Sequence, residues 1–290
     1  MKFKVLEKIT PSKEENKLVN SETQELVKKL KKIKEATIII GGSDAKGTVI
    51  RKAKRDVDIF VAFDYKYADK SDKLADILQT WLRKLKIKVS RLHGSRDYFN
   101  HKGKHVKFEI IPILKIKRAK EAVNITDVSP LHVTYVKNKC KKKKLASEIR
   151  LAKAFCYAHN LYGAESYIKG FSGYALELLV IYYGSFMAFI KAAARWGKQM
   201  YKKKIIIDSA KHYKNKDAVF FQLNESKLHS PLILIDPLQK DRNAAAALSK
   251  EKFFLFIKIC QRFLKKPSEK FFIKKEITEK DLKRFVKGKE

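Results

Sequence analysis

The stretch IIIGGSDAKGTVIRKAKRDVDIFVAF, residues 38–63, decides the fold. An apolar run ends in Gly41-Gly42-Ser43, and a basic segment then leads to Asp56-Val57-Asp58 at the start of a second apolar run. This pattern predicts a strand, a tight turn into a helix, and a second strand. Because side chains alternate across a strand, Asp56 and Asp58 point to the same face. Two carboxylates on one face repel each other unless a cation lies between them.

A third acid follows on another predicted strand, residues 106–114, VKFEIIPIL, where Glu109 stands between two apolar residues. A buried carboxylate is costly without a partner. A structural ion pair would explain an isolated Glu109, but the first stretch already supplies two more acids. Three carboxylates can hold two divalent ions roughly 3.5–4 Å apart, and oxygen ligands favour Mg²⁺ or Mn²⁺ over zinc. The acids therefore predict a two-metal site on adjacent strands.

The turn at residues 41–43 predicts an anion site, because a turn into a helix presents backbone N–H groups. Two common phosphate-binding motifs are excluded here. Residues 41–48, GGSDAKGT, carry glycine and lysine in an order that does not fit a Walker A loop, and this stretch lacks the GxGxxG fingerprint of the Rossmann fold. An anion-binding turn beside a carboxylate pair instead indicates metal-assisted transfer of a nucleotide.

The charge of the chain points to a polyanionic partner. Its 290 residues include 66 Lys and Arg against 31 Asp and Glu, which gives a net charge of +35. Lysine is spread along the whole sequence, so a general enrichment explains part of this excess. Nucleic acid is still the partner that such a charge favours, since clustered cations neutralise phosphates.

Cysteine usage and hydropathy predict a cytoplasmic protein without a membrane partner. The three cysteines form no CxxC pair, which argues against a disulfide framework and a cysteine zinc site. The N-terminus lacks the apolar segment of a signal peptide. The uncharged run LLVIYYGSFMAFI, residues 178–190, is shorter than the ~18–20 residues of a membrane span, so we expect a buried helix.

Periodicity and capping patterns predict the remaining elements. Ser12 with Glu15 forms a capping-box pattern at a helix start, and Ser21 with Gln24 repeats it. The basic run KCKKKK, residues 139–144, is predicted to be a surface hinge. The predicted helices cover residues 12–35, 71–86, 145–160, 174–196, 244–264 and 278–286, and further strands cover 204–208 and 232–236.

These motifs resemble a known family. Residues 42–60, GSDAKGTVIRKAKRDVDIF, look like the nucleotidyltransferase motif of the DNA polymerase beta superfamily. Five later segments, in order, are similar to the archaeal (class I) CCA-adding enzymes, the tRNA nucleotidyltransferases, and the likeness extends over about residues 8–272. The segments are FEIIP (108–112), DVSPLH (127–132), EIRLAKAF with LYGAE (148–155 and 161–165), KGFSGYALELLVIYYGSF (169–186) and IDPLQKDRNAAAALS (235–249).

The resemblance implies an α+β fold in three parts. Residues 1–138 would form a polymerase-beta-like nucleotidyltransferase domain with a mixed sheet and helices. Residues 139–265 would form a mostly helical central domain with a small sheet, which binds nucleotide and RNA. Residues 266–290 would form a basic C-terminal tail.

The resemblance also implies a role for each site residue. Asp56, Asp58 and Glu109 match the metal-binding carboxylates, and Glu109 would also be the base toward the RNA 3′-hydroxyl. Ser43 and Lys46, after Gly42, match residues that hold the nucleotide phosphates. His132, Lys153 and Tyr162 match further contacts to ATP or CTP, and Arg242 matches the arginine that reads the incoming base. The full nucleotide-binding set is Gly42, Ser43, Lys46, His132, Lys153, Tyr162 and Arg242.

The implied function is template-independent addition of C, C and A to tRNA 3′ ends from CTP and ATP, with two Mg²⁺ ions and release of pyrophosphate. The archaeal enzymes continue into body and tail domains that grip the tRNA elbow, so we expect a partner subunit or a homodimer to replace them. Two alternatives stay open. One is a template-free RNA or second-messenger synthase of the same superfamily. The other is an RNA-binding subunit without catalysis, or the catalytic half of a split enzyme.

Overall fold

Two sheets, each with its own helices, form an α+β structure, as predicted. The structure is a computed structural model that describes residues 1–52, 55–200 and 204–274. The helices are α1 Lys2–Ile9, α2 Lys13–Leu30, α3 Gly42–Ala45, α4 Leu74–Lys84, α5 Ser129–Lys143, α6 Ala146–Ala158, α7 Gly173–Tyr183, α8 Phe186–Ala193, α9 Trp196–Met200, α10 Lys216–Gln222 and α11 Lys250–Lys265. The strands are β1 Ala36–Ile40, β2 Arg55–Phe63, β3 Ser90–Leu92, β4 Tyr98–Lys102, β5 Val106–Leu114, β6 Ile205–Ile207, β7 Leu232–Asp236 and β8 Gln239–Asn243. Short 3₁₀ turns cover Tyr65–Lys73, Ala119–Glu121, Ile125–Val128, Glu225–Lys227 and Glu269–Phe272.

The larger sheet has five strands in the order β1-β2-β5-β4-β3. Strand β2 pairs parallel with β5, while the other pairings in this sheet are antiparallel. In the β2–β5 register Asp58 lies opposite Glu109, and Asp56 lies opposite Lys107. The predicted adjacency of the two acid-bearing strands is therefore confirmed.

The two faces of β2 are covered differently. Its buried odd-numbered residues pack into an apolar cluster with residues of α2 and α4. Phe60 and Ala62 lie on the opposite face, in a smaller cluster that includes Val133 of α5. By strand alternation, Asp56 and Asp58 share this second face. The acids thus point away from α2 and α4 and toward the second half of the chain.

The second half of the chain is built on an aromatic core. The ring of Phe155 in α6 contacts the rings of Phe186 in α8 and Phe263 in α11, at centroid distances of 5.6 and 5.4 Å. The small sheet, in the order β6-β7-β8, borders this core. Helix α1 joins the same core through Val5 and Ile9, although it is the first element of the chain. The predicted domain boundaries at residues 138 and 265 stay predictions.

The predicted long helix over residues 174–196 is wrong, because the chain bends at Gly184. This glycine has φ +81° and ends α7 in the left-handed region that glycine favours. Ser185 then begins α8, and its side chain accepts a hydrogen bond from the Ala188 N–H. Among the described residues no single helix could cross a membrane by length and apolar content, and only the helix pair over 173–198, bent by 96°, passes such a test.

The predicted helix from residue 244 is also wrong at its start. Arg242 lies on strand β8 rather than at a helix start, and α11 begins after Ser249, whose side chain accepts a hydrogen bond from the Lys252 N–H. The Asn243 side chain holds the intervening turn, since its oxygen accepts from the Leu234 N–H at 2.9 Å. The side-chain hydrogen bonds of Asn243 and Ser249 therefore keep the alanine run out of the helix, despite its high helix propensity.

Other predictions near helix ends had mixed outcomes. The capping box of Ser12 and Glu15 is confirmed at the start of α2. The second pattern, at Ser21, is wrong because that residue lies inside α2. The basic run 139–144 is not a hinge, because most of it forms the last turn of α5. The predicted helix over 278–286 lies outside the described residues. All three cysteines are buried and free.

A buried ion pair fixes the turn between β3 and β4, a region for which the sequence predicts no helix or strand. The Arg96 guanidinium donates to Asp127 Oδ1 at 2.5 Å, and the two side chains are 4% and 0% exposed. Asp127 Oδ1 also accepts from the Leu114 N–H at 2.9 Å, and Oδ2 accepts from the Asn124 N–H at 2.8 Å. This carboxylate therefore joins the end of β5 to the segment that leads into α5.

We expect Asp127→Asn to destabilise the protein by about 3–5 kcal/mol, because removing one partner leaves a buried charge unpaired. Urea unfolding followed by circular dichroism measures this loss. Arg118→Gln is the matched control, since Arg118 pairs with Glu121 at the surface and is 67% exposed. That control should cost less than about 1 kcal/mol. Equal losses in the two variants would contradict the structural importance of the buried pair.

Candidate functional site

A cleft of about 490 Å³ lies between the acidic face of the larger sheet and the start of the helical half. It brings together eight of the ten residues that the sequence predicts for the site. His132 and Arg242 do not line it. The eight predicted residues that line the cleft are Gly42, Ser43, Lys46, Asp56, Asp58, Glu109, Lys153 and Tyr162.

The glycine turn lies directly against the carboxylates. The Gly41 N–H donates to the Asp58 carbonyl at 2.8 Å, which ties the end of β1 to β2. Gly42 has φ +62°, and a Cβ there would lie 2.5 Å from Asp58 Oδ2. A side chain at residue 42 would therefore be strained and would displace the acid. The predicted helix after the turn is present, but α3 is only 4 residues long.

Asp58 and Glu109 carry the electrostatic strain of the site. Burial, followed by the nearby Glu109 charge, raises the pKa of Asp58 to about 7, although Lys46 opposes the shift. Burial also raises the pKa of Glu109, although Lys107, 3.6 Å away, opposes this shift. Asp56 is exposed. The lysines near Asp58 and Glu109 therefore do not offset the burial of these carboxylates and their mutual repulsion.

These acids fit divalent metal ions in donor type, face and register. Asp58 is directly beside Glu109 across the strands, and a cation would relieve the repulsion that raises its pKa. As the side chains lie, no three His, Cys, Asp or Glu residues form a ready metal-binding group in the part of the chain that the structure describes. Binding would therefore require side-chain rotation, including exchange of the Glu109 contact with Lys107.

Two lysines that line the cleft, Lys46 and Lys153, form its lysine wall and share one carboxylate. Lys46 Nζ lies 2.7 Å from Glu177 Oε2, and Lys153 Nζ lies 2.7 Å from Oε1. Thr48 Oγ1 donates to Glu177 Oε1 at 2.8 Å and accepts from Lys153 at 2.9 Å. Burial alone would raise the pKa of Glu177, but the charges and hydrogen bonds of Lys153 and Lys46 outweigh it and lower the pKa to about 2.

Sequence reasoning missed Glu177. This residue stands immediately before the uncharged run 178–190, and a buried acid inside an apolar helix signals a partner. The contacts with Lys46 and Thr48 span 131 and 129 residues, so no local spacing could reveal them.

Lys52 and Arg55 are further cleft residues that the sequence did not single out. Lys52 Nζ lies 4.9 Å from the ring centroid of Tyr162, and burial lowers the pKa of Lys52. Burial raises the pKa of Tyr162, so its hydroxyl stays protonated. Arg55 donates to Asp44 at 3.2 Å and to Asn16 at 2.7 Å. Asp44, the acid that follows the glycine turn, is therefore paired.

His132 and Arg242 meet in a second group beside the cleft. Both contact the buried carboxylate of Asp236: His132 Nε2 lies 2.9 Å from Oδ2, and Arg242 donates to Oδ2 at 2.6 Å. The Tyr174 hydroxyl donates to Oδ1 at 3.2 Å, and its ring packs against that of His132 at a tilt of 33°, with the centroids 4.3 Å apart. Burial would raise the pKa of Asp236, but His132 and the Leu238 N–H lower it to about 2. Because Tyr174 also lines the cleft, this group borders it.

We expect Gly42→Ala to destabilise the protein by about 1–3 kcal/mol, because the added Cβ meets Asp58 and the backbone has positive φ. Chemical denaturation measures the change. Gly47→Ala is the matched control, since Gly47 has φ +66° and a Cβ there would meet no atom within 4 Å. It should cost only the backbone strain, about 1 kcal/mol. If Gly47→Ala loses as much stability as Gly42→Ala, the result would contradict the steric contact between residue 42 and Asp58.

We expect Asp58→Asn to stabilise the metal-free protein at pH 8 by about 1–3 kcal/mol. A carboxyl with a raised folded-state pKa supports the folded state below its unfolded pKa, and this support is lost as pH rises through about 7. The neutral amide avoids that loss, so the advantage should vanish near pH 4. Urea denaturation in EDTA at both pH values measures it.

Asp56→Asn is the control for this experiment, because Asp56 is exposed on the same strand face. Its effect should stay within about 0.5 kcal/mol. A destabilised Asp58→Asn protein at pH 8 would contradict the electrostatic strain at Asp58.

Comparison with known proteins agrees with this geometry. Residues 147–273 match the family model of the tRNA nucleotidyltransferase second domain, and residues 2–143 match that of the Second Messenger Oligonucleotide or Dinucleotide Synthetase domain. The chain is 42% identical to the CCA-adding enzyme of Nanoarchaeum equitans over 220 residues, which cover 76% of this chain and 53% of the relative. It is 34% identical to that of Methanocaldococcus jannaschii over 285 residues, 92% of this chain and 60% of the relative.

Solved structures share the fold at low sequence identity. Cid1, described as having RNA terminal uridylyl transferase activity, has a TM-score of 0.69 and 16% identity, and the match covers 96% of this chain and 98% of Cid1. CdnC from E. coli, solved with ATP, has a TM-score of 0.62 and 17% identity, and the match covers 93% of this chain and 94% of CdnC. The chain spans little more than half the length of the CCA-adding enzymes it matches. It therefore belongs to the family of the archaeal CCA-adding enzymes, the tRNA nucleotidyltransferases.

Proposed function

We propose that this protein adds C, C and A to the 3′ ends of tRNA, with CTP and ATP as substrates. One observation carries the proposal: the carboxylates of β2 and β5 line a single cleft together with Lys46 and Lys153. Nucleotidyl transfer needs carboxylates at the reacting phosphate and cations along the triphosphate. Homology to archaeal CCA-adding enzymes supports tRNA as the acceptor.

Each wall of the cleft has its own task in this reaction. Asp56, Asp58 and Glu109 would hold two Mg²⁺ ions, or Mn²⁺, which supply positive charge at the reacting phosphate when bound. Glu109 would also accept the proton of the RNA 3′-hydroxyl. Lys46 and Lys153 would bind the triphosphate and keep the departing pyrophosphate in place.

The glycine turn and Tyr162 complete the nucleotide site. The backbone at Gly42 and the Ser43 hydroxyl would donate hydrogen bonds to the phosphates. Tyr162 stays a neutral donor because its burial raises its pKa. It lines the same cleft, where it would contact the nucleotide sugar or a phosphate.

Base selection belongs to the group beside the cleft. Arg242 uses one guanidinium nitrogen on Asp236, which leaves further N–H donors for the edge of C or A. The His132 ring packs against Tyr174, and its Nε2 lies 2.9 Å from the carboxylate that also pairs with Arg242. The two residues would therefore read the base from a fixed position without a template strand.

We expect the purified protein with Mg²⁺ to incorporate labelled CTP and then ATP into tRNA that lacks its CCA end. Asp58→Ala should lower the rate about a thousandfold or more, because a carboxylate ligand at the reacting phosphate is lost. Arg118→Gln, exposed and outside the cleft lining, should retain the wild-type rate. Folded wild-type protein that incorporates neither nucleotide would refute the proposal.

The match of residues 2–143 to the oligonucleotide or dinucleotide synthetase domain favours a second candidate. A synthase of that kind would join nucleotides without an RNA acceptor. Incubating the protein with single NTPs and no RNA, followed by chromatography, separates the two reactions. Product formation under these conditions would favour the synthase, whereas dependence on tRNA would favour CCA addition.

A further inference from the structure

Glu177 lies behind the lysine wall of the cleft rather than in it. Its side chain is 0% exposed and does not line the cleft. Its three partners, Lys46, Thr48 and Lys153, all do. Glu177 therefore cannot touch a bound nucleotide without displacing them, and it acts on the cleft only through them.

The contacts of Glu177 cross from one half of the chain to the other. Lys46 ends α3 and Thr48 follows it, so both belong to the carboxylate-bearing half. Lys153 comes from α6, and Glu177 comes from α7. One carboxylate thus fixes the spacing between the glycine turn and the helical wall.

Charge and burial explain why both lysines need this partner. Lys153 is 2% exposed and Lys46 is 9% exposed, and a buried ammonium group is costly without a counter-ion. Two positive charges against one negative charge leave the group with one positive charge toward the cleft. The group can therefore hold its own cations in place and still attract a phosphate.

We propose that Glu177 is a positioning residue that holds Lys46 and Lys153 against the nucleotide triphosphate. This inference rests on the proposed function. It predicts that triphosphate binding weakens when Glu177 is replaced, whereas charge alone predicts that binding strengthens. Removing a buried negative charge would strengthen the attraction of the lysines for phosphate, whereas loss of their anchor lets them turn away and weakens binding.

The test is the affinity of Glu177→Gln for CTP and for CMP, measured by calorimetry with Mg²⁺ and without RNA. We expect CTP binding to weaken about ten- to a hundredfold, the effect of one or two lost charge-assisted contacts. CMP binding should change less than about threefold, because CMP lacks the β- and γ-phosphates. Glu177→Asp keeps the charge but is one methylene shorter, so its CTP affinity should lie between those of the wild type and Glu177→Gln.

Asp127→Asn controls for a general loss of stability, since Asp127 is also fully buried and ion-paired but does not line the cleft. At a temperature where circular dichroism shows it folded, its ratio of CTP to CMP affinity should equal the wild-type ratio. A fall of that ratio in Asp127→Asn equal to the fall in Glu177→Gln would overturn the inference.

The remaining outcomes separate the inference from the proposed function. Wild-type protein that binds no CTP would contradict the proposed function itself. Wild-type binding with unchanged or tighter binding by Glu177→Gln would overturn the role of Glu177 alone. If Glu177→Gln does not fold, Glu177→Asp decides, and wild-type CTP affinity in that variant would overturn the inference.

Discussion

The parallel register of β2 and β5 is the constraint on which the site depends. It sets Asp58 directly beside Glu109, so two like charges share one face of a partly buried sheet. The sheet can hold this arrangement because the opposite face of the same strands packs against α2 and α4. The apolar packing on one face thus offsets the repulsion on the other, which leaves the acids ready for cations that the protein itself does not supply.

The second half of the chain supplies what the sheet lacks. Lys153 and the buried carboxylates of Glu177 and Asp236 come from this half, and the two carboxylates contact the side chains of both neighbouring groups. Glu177 organises Lys46 and Lys153, and Asp236 organises His132 and Arg242. Both acids keep a pKa of about 2 despite burial, since Lys153 and Lys46 lower that of Glu177, and His132 and the Leu238 N–H lower that of Asp236. At the lysine wall, a buried carboxylate therefore sets the positions of the two ammonium groups.

The sequence predicted the acid-bearing strands because their signals are local: alternation and apolar runs within residues 38–63 and 106–114, and a glycine turn at 41–43. It could not predict Glu177 or the Arg96–Asp127 pair, since these contacts join residues far apart in the chain. At Gly184 the continuous apolar run masked a stop signal that the sequence contained. At Arg242 the alanine run favoured a helix, but the bonds of Asn243 and of Arg242 itself to β7 keep the residue on β8.

Helix α1 packs on elements made much later in the chain. Val5 and Ile9 enter the aromatic core of the helical half, and Lys8 pairs with Glu269 at 2.8 Å. During synthesis this helix leaves the ribosome first, but its docking surface is complete only after residue 269 has been added. The larger sheet can form earlier, whereas α1 can complete its packing only after the helical half has been made. The order of synthesis and the order of assembly are therefore reversed for this segment.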